Sequence, residues 1–160
     1  MQKLTSIFFL ACFLGLTVSV GQADTPGAAA PAQSKTALIG PFTGPASGDV
    51  KAYVPNSIVR TIKKYGIVGA RSRQPMIDLA QTGSVICADS GDSYVIGGDV
   101  DLLGNQPDQY WFQVSLTLNL FDCSNLTGKM RSVTVSAQHP DRQTAVDIAV
   151  SMALKKLFAH

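Results

Sequence analysis

The sequence predicts an α+β fold: a two-layer sandwich with helices on one side of a mostly antiparallel sheet, in the order β-α-β-α-β-β-β-α. Three observations predict it. Phe112, Val114, Leu116, Leu118 and Leu120 alternate strictly with Gln113, Ser115, Thr117 and Asn119, the pattern of a half-buried strand. Stretches of the same kind flank it: Tyr94, Ile96, Val100 and Leu102 share one parity, and Val133 and Val135 share another. Helical runs stand outside this block, before it at Ile58, Val59 and Ile62, and after it from Val146 to Leu157. The material for a core is present, since 46% of the 160 residues are hydrophobic. Only 15% are charged, against a usual share of about 25%, which excludes a disordered polyelectrolyte.

Each element has a local reason. Thr36 to Gly40 reads as a short strand ended by Gly40 and Pro41, followed by a Gly/Pro/Ser loop through Gly48. Pro55 is placed in the first turn of a helix running to about Tyr65, and Gly66 stops it. Ile67 and Val68 form a second, short strand. Residues 74–88 read as one or two helical pieces around Met76, Ile77, Leu79, Val85 and Ile86, interrupted at Gly83. The strand around Ile96 carries Asp99 and Asp101 on its outer side, and Gly104 to Asp108 is a turn. Asp122 to Lys129 is the next turn. Asp141 caps the last helix, which contains Val146, Ile148, Val150, Met152, Leu154 and Leu157.

Residues 1–23 have the layout of a secretory signal peptide. Lys3 supplies the charge, Ile7 to Leu16 the apolar run, and Gly21 and Ala23 the small residues before the cut. The apolar run is shorter than the roughly 20 residues that a membrane span requires. An uncleaved anchor is the alternative. Residues 24–35 read as a flexible Pro/Ala linker, and 36–160 as a single domain. No segment of the mature chain is expected to cross a membrane. Phe9, Leu10, Ala11 and Cys12 form a poor match to the bacterial lipobox; the competing reading of Cys12 is a cysteine inside the signal core.

Cys87 and Cys123 are then the cysteines of the exported chain, an even count that reads as a disulfide. Strand register points the same way. If the turn at Gly104 to Asp108 closes the hairpin, Tyr94 faces Leu116 and Ile96 faces Val114, and the same register carried outward sets Cys87 opposite Cys123. Two buried free thiols are the alternative.

Several motifs bear a family resemblance. Leu38-Ile39-Gly40-Pro41-Phe42 resembles the opening strand, with its Pro-Phe ending, of the anticodon-binding-domain-like fold of bacterial envelope proteins. This group includes the globular part of the curli secretion protein CsgG, the amino-terminal domain of TolB and the activator LpoB. Asp92 to Gly98 is similar to the family's "Ala-Asp-Tyr-Leu-Ile-x-Gly" strand, and Leu118 to Asp122 with Thr127-Gly128-Lys129 to its "Leu-x-Leu-x-Asp-x-x-Thr-Gly" hairpin. The membrane-spanning hairpins of the curli channel have no counterpart here, and Ser124, Asn125 and Leu126 lengthen the hairpin loop. The resemblance implies the fold and a trade in protein contacts within the envelope, and it transfers no catalytic residue.

Chemistry is sparsely provided. All eleven acidic residues are Asp, and thirteen Lys and Arg leave a net charge of +2, too balanced for nucleic acid binding. The histidines are His139 and His160, so zinc is poorly served. His139 precedes Pro140 at the entry to the last helix, the place of a cap or surface residue. Phosphate-loop and dinucleotide fingerprints are absent, and no metal or cofactor is expected. Asp99 and Asp101 share the solvent side of one strand, and Asp89 and Asp92 flank a turn. The sequon Asn125-Leu126-Thr127 matters only in a eukaryotic secretory route.

The distinctive cluster is basic. Arg60, Lys63, Lys64, Arg71 and Arg73 fall within fourteen residues with no acid among them. Arg60, Lys63 and Lys64, at i, i+3 and i+4, share a helix face. Such a face suits an acidic partner, either an envelope protein or an anionic envelope polymer and lipid headgroups; the plainer reading is a solvated helix surface. The expectation is a non-enzymatic periplasmic interaction domain that assists envelope assembly or secretion. Its rivals are a lipid-anchored activator of cell-wall synthesis and a small secreted enzyme using Asp99 and Asp101.

Overall fold

The computed structural model describes residues 34–74, 76, 78–103, 110–124 and 130–158. The expectations for the signal peptide, Cys12, most of the linker, the Gly104–Asp108 turn, the sequon and the Thr127–Lys129 motif lie outside these residues. The elements are β1 (Lys35–Ile39), α1 (Gly48–Ile62), β2 (Ile67–Arg71), α2 (Leu79–Ser90), β3 (Tyr94–Leu103), β4 (Phe112–Asp122), β5 (Arg131–His139) and α3 (Arg142–Phe158). Their order is the one the sequence predicts. β1 begins at Lys35, one residue before the expected start of the domain.

One five-stranded sheet has the order β2-β1-β3-β4-β5. β1 lies parallel to β2 and β3, over five and three residue pairs. The antiparallel ladders are longer, ten pairs for β3–β4 and nine for β4–β5, so most of the sheet is antiparallel. The period-two alternation puts Ile96, Val100, Val114, Leu116, Leu118, Leu120, Val135 and Ala137 on one face. α1 and α3 cover that face with Val54, Ile58, Ile62, Val146, Val150, Leu154 and Leu157. α2 departs from the expected one-sided arrangement: it packs on the opposite face, where Met76, Leu79 and Cys87 meet Val95 and Phe121, the side chains of the other parity.

The β3–β4 register is displaced from the expected one. Tyr94 pairs with Asp122 and Ile96 with Leu120, rather than with Leu116 and Val114. The connection runs through residues 104–111, since Tyr110 and Trp111 precede the strand. The displacement is an even number of residues, so each side chain keeps its face. Apolar patterning alone therefore does not distinguish the two registers.

Three helical details also differ. α1 starts at Gly48, so Pro55 sits in its interior, where Lys51 loses the amide it would otherwise bond. The α-helix ends at Ile62, and Lys63–Tyr65 form a 3-10 turn closed by Gly66, whose φ of 70° is left-handed. α2 is continuous through Gly83, which is buried against the Phe121 ring. The expected loop after β1 runs beside β3 instead of leaving it: Gly40 N–H donates to Ile96 O (2.9 Å), and Thr43 N–H to Gly98 O (3.1 Å). This buries Phe42. Asp141 caps α3 as expected, accepting from the Thr144 N–H (2.8 Å) and hydroxyl (2.7 Å).

Cys87 and Cys123 form a disulfide, with Cα atoms 5.4 Å apart. The pair is the expected one but its geometry is not. Cys87 belongs to α2 rather than to an extended β3, and Gly91 reverses the chain between them. Cys123 N–H donates to Ser93 O (3.0 Å), which brings the end of β4 beneath the end of α2.

Candidate functional site

The five basic residues divide into three situations. Arg60, in the last turn of α1, is engaged with α3: its Nη2 donates to Asp147 Oδ1 (3.1 Å) and to the Tyr53 hydroxyl (2.8 Å). The hydrogen bond to the Tyr53 hydroxyl and, after it, the Asp147 carboxylate hold its guanidinium more basic than usual. Lys63 and Lys64 lie in the 3-10 turn just before β2, both exposed. Arg71 ends β2, and its Nη1 donates to Asn56 Oδ1 (3.0 Å), which ties the strand end to α1. Arg73 follows in the next bend, exposed.

The expected common face of Arg60, Lys63 and Lys64 is altered, because the α-helix ends between them. β2 forms one edge of the sheet. Its residues separate the Lys63–Lys64 pair from Arg71 by about 3.3 Å per residue. Asn56 and Arg60 are one turn apart, so Arg71 and Arg60 occupy neighbouring places on the α1 surface. The result is a basic edge with cations at both ends of β2, of which Lys63, Lys64 and Arg73 form no ion pair among the described residues.

Asp147, Tyr53 and Ser57 carry a role not read from the sequence. The Ser57 hydroxyl is fully buried and donates to Asp147 Oδ1, while the Tyr53 hydroxyl bonds Oδ2 at 3.1 Å. One carboxylate thus gathers three groups from α1. The signal was present as Tyr53, Ser57 and Arg60 at i, i+4 and i+7, which places the three on one side of α1.

The remaining candidates stand apart from this edge. Asp99 and Asp101 share one face of β3 as expected, and Asp99 accepts from the Thr43 hydroxyl. Asp89 closes α2 and Asp92 follows Gly91, on either side of that turn. His139 Nδ1 accepts from the Asp141 N–H (3.0 Å), a local contact at the entry to α3. No three His, Cys or Asp side chains gather at metal-binding range among the described residues. No helix among them is long and apolar enough to cross a membrane.

Fold and site together define a small disulfide-bridged α+β sandwich with a cationic edge. No protein-family model and no curated protein sequence matches the chain. Solved structures share its fold. PelC from Paraburkholderia phytofirmans, solved as a dodecamer, is 17% identical over 79% of this chain and 89% of that one, with a TM-score of 0.59. Lipoprotein GNA1162 from Neisseria meningitidis is 14% identical over 77% and 97%, with a TM-score of 0.54. Identities this low speak for the fold alone.

Proposed function

We propose that the chain is an exported, non-enzymatic interaction domain of the bacterial cell envelope that assists assembly or secretion. The observation that carries this reading is the basic edge of α1 and β2, with Lys63, Lys64 and Arg73 free of ion pairs among the described residues. The secretory layout of residues 1–23 supports export, and a disulfide is at home in an oxidising compartment. The fold shared with PelC and with a Neisseria lipoprotein supports the envelope setting. The finer kinship is with the CsgG, TolB and LpoB type, on the strand and hairpin motifs quoted above.

The partner is an acidic envelope protein or an anionic envelope polymer. The test is charge reversal at Lys63, Lys64 and Arg73 together. Arg60 is left intact, because its loss would also open the α1–α3 contact. Loss of the pulled-down partner supports the reading; an unchanged partner set removes the basic edge from it. Non-reducing intact mass of the exported protein decides the anchored alternative. A chain beginning at Asp24 supports a soluble domain, and a lipidated chain beginning at Cys12 supports a membrane-anchored activator.

A further inference from the structure

The start of β1, the end of β4 and the end of α3 surround a cavity of about 350 Å³. One wall is aromatic. Phe158 lies 5.5 Å from Tyr65, tilted by 37°, and meets Tyr94 edge-on at the same distance, with 76° between the rings. The other side is cationic. Lys35 Nζ donates to the Tyr94 hydroxyl (3.2 Å), and Arg131 Nη1 donates to the Leu157 carbonyl (2.9 Å).

Neither cation meets an acid in an ion pair among the described residues. The acid in the lining, Asp122, gives its Oδ1 to the Ser124 N–H (3.0 Å) and hydroxyl (2.6 Å). Each cation therefore spends a donor on a neutral oxygen and retains others, since an ammonium has three and a guanidinium five. The rings lower the local dielectric and strengthen the field of the two charges. Two cations and one carboxylate leave one positive charge for an occupant to neutralise. The volume is at the lower end of ligand cavities, about right for a single ring with its substituent.

We propose that this cavity binds a singly charged carboxylate carried on a six-membered ring, with the carboxylate bonded to Lys35 and Arg131 and the ring against Tyr65, Tyr94 and Phe158. The carrier is an aromatic acid, whose flat face stacks against aromatic side chains, or a sugar acid, whose ring turns an apolar C–H face to them. The site adjoins the partner surface proposed above, since Tyr65 shares a turn with Lys63 and Lys64, but it uses different cations.

The test is an amide NMR titration of the oxidised exported chain with sodium benzoate and, separately, sodium glucuronate. Benzyl alcohol and glucose serve as the uncharged counterparts. Saturable shifts at Lys35, Tyr94, Arg131 and Phe158 with an acid, and not with its uncharged counterpart, are expected. A response to benzoate assigns the aromatic source, and one to glucuronate the sugar source. Lys35→Gln is expected to weaken binding about tenfold, the effect of losing one charged hydrogen bond. Lys156→Gln, on the exposed side of α3, leaves it unchanged. Salt of about 1 M, which shortens the screening length to roughly 3 Å, weakens binding in the unaltered chain and needs no variant to fold. Absence of saturable shifts with either acid, equal shifts with the uncharged counterparts, or indifference to both Lys35→Gln and salt overturns the proposal.

Discussion

A methyl group added at Gly83 would stand 2.4 Å from Cδ2 of Phe121, so α2 rests with its backbone directly on that ring. This contact decides the sign of a substitution. In an open helix, Gly→Ala gains about 1 kcal/mol from propensity. Overpacking a filled core costs about 1–3 kcal/mol. Phe121 is buried beside Val95 and Cys87 and has little room to move. Gly83→Ala is therefore expected to lower the melting temperature, and to do so less in a Phe121→Leu background. Thermal unfolding of the four variants in that cycle checks it, and a rise for Gly83→Ala alone overturns the account.

The disulfide closes a sequence separation of 36 residues. Loop entropy assigns such a bridge at most about 3–4 kcal/mol, before strain. The loss should fall unevenly. α2 is held by a small cluster and by the bridge, whereas β4 lies between two long ladders. In Cys87→Ser/Cys123→Ser, amides of α2 are expected to exchange faster while those of β4 stay protected. Equal protection of α2 in both forms counts against a bridge that secures the helix.

The sequence made the sheet legible through parity. Phe112 to Leu120 could bury one face only as a strand, and every even-numbered apolar residue kept its side. Parity says nothing about register, which is why Tyr94 pairs with Asp122 although Leu116 was equally plausible. The cysteine pairing was correctly read from an incorrect extension of β3, because α2 and a left-handed Gly91 return Cys87 to the place a strand would have reached. Gly83 was read as an interruption because its role is tertiary: the ring that needs its missing Cβ lies 38 positions later in the chain. The basic cluster was legible as composition. The engagement of Arg60 was not, because its partner Asp147 stands in α3, far away in sequence.

That engagement yields a ranking. Removing the Asp147 carboxylate deprives the fully buried Ser57 hydroxyl of its acceptor, at a cost of about 1–3 kcal/mol. Removing Arg60 breaks an ion pair whose side chains are 57% and 45% exposed. Solvent screening limits that pair to about 1 kcal/mol or less. Urea unfolding is expected to show Asp147→Ala more destabilised than Arg60→Ala, with Asp147→Asn close to the parent because an acceptor remains. The reverse order would show that charge, rather than the buried hydroxyl, governs the α1–α3 contact.

The first turns of α1 and α3 predict an acid limb in stability. The Ser47 hydroxyl and, to a smaller extent, Arg142 hold the Asp49 carboxyl below the usual range; Arg142 Nη2 lies 2.7 Å from its Oδ2. The Thr144 hydroxyl and N–H hold the Asp141 carboxyl low in the same way. A folded pKa below the unfolded one means that the unfolded chain takes up protons first as acid is added. The stabilisation is therefore complete above the ordinary carboxylate value of about 4. It is lost as pH falls through the depressed folded values. Arg60, whose pKa is raised, stays protonated across this window and adds no slope. Melting temperature is expected to be level with respect to these two groups from about pH 5 to 7, and to fall below about pH 4. Asp141→Asn retains a good capping oxygen but has no proton to gain. Its acid limb should be shallower than the parent's while the neutral-pH melting temperatures stay close. Parallel acid limbs for parent and variant would show that the Asp141 cap does not contribute to the acid response.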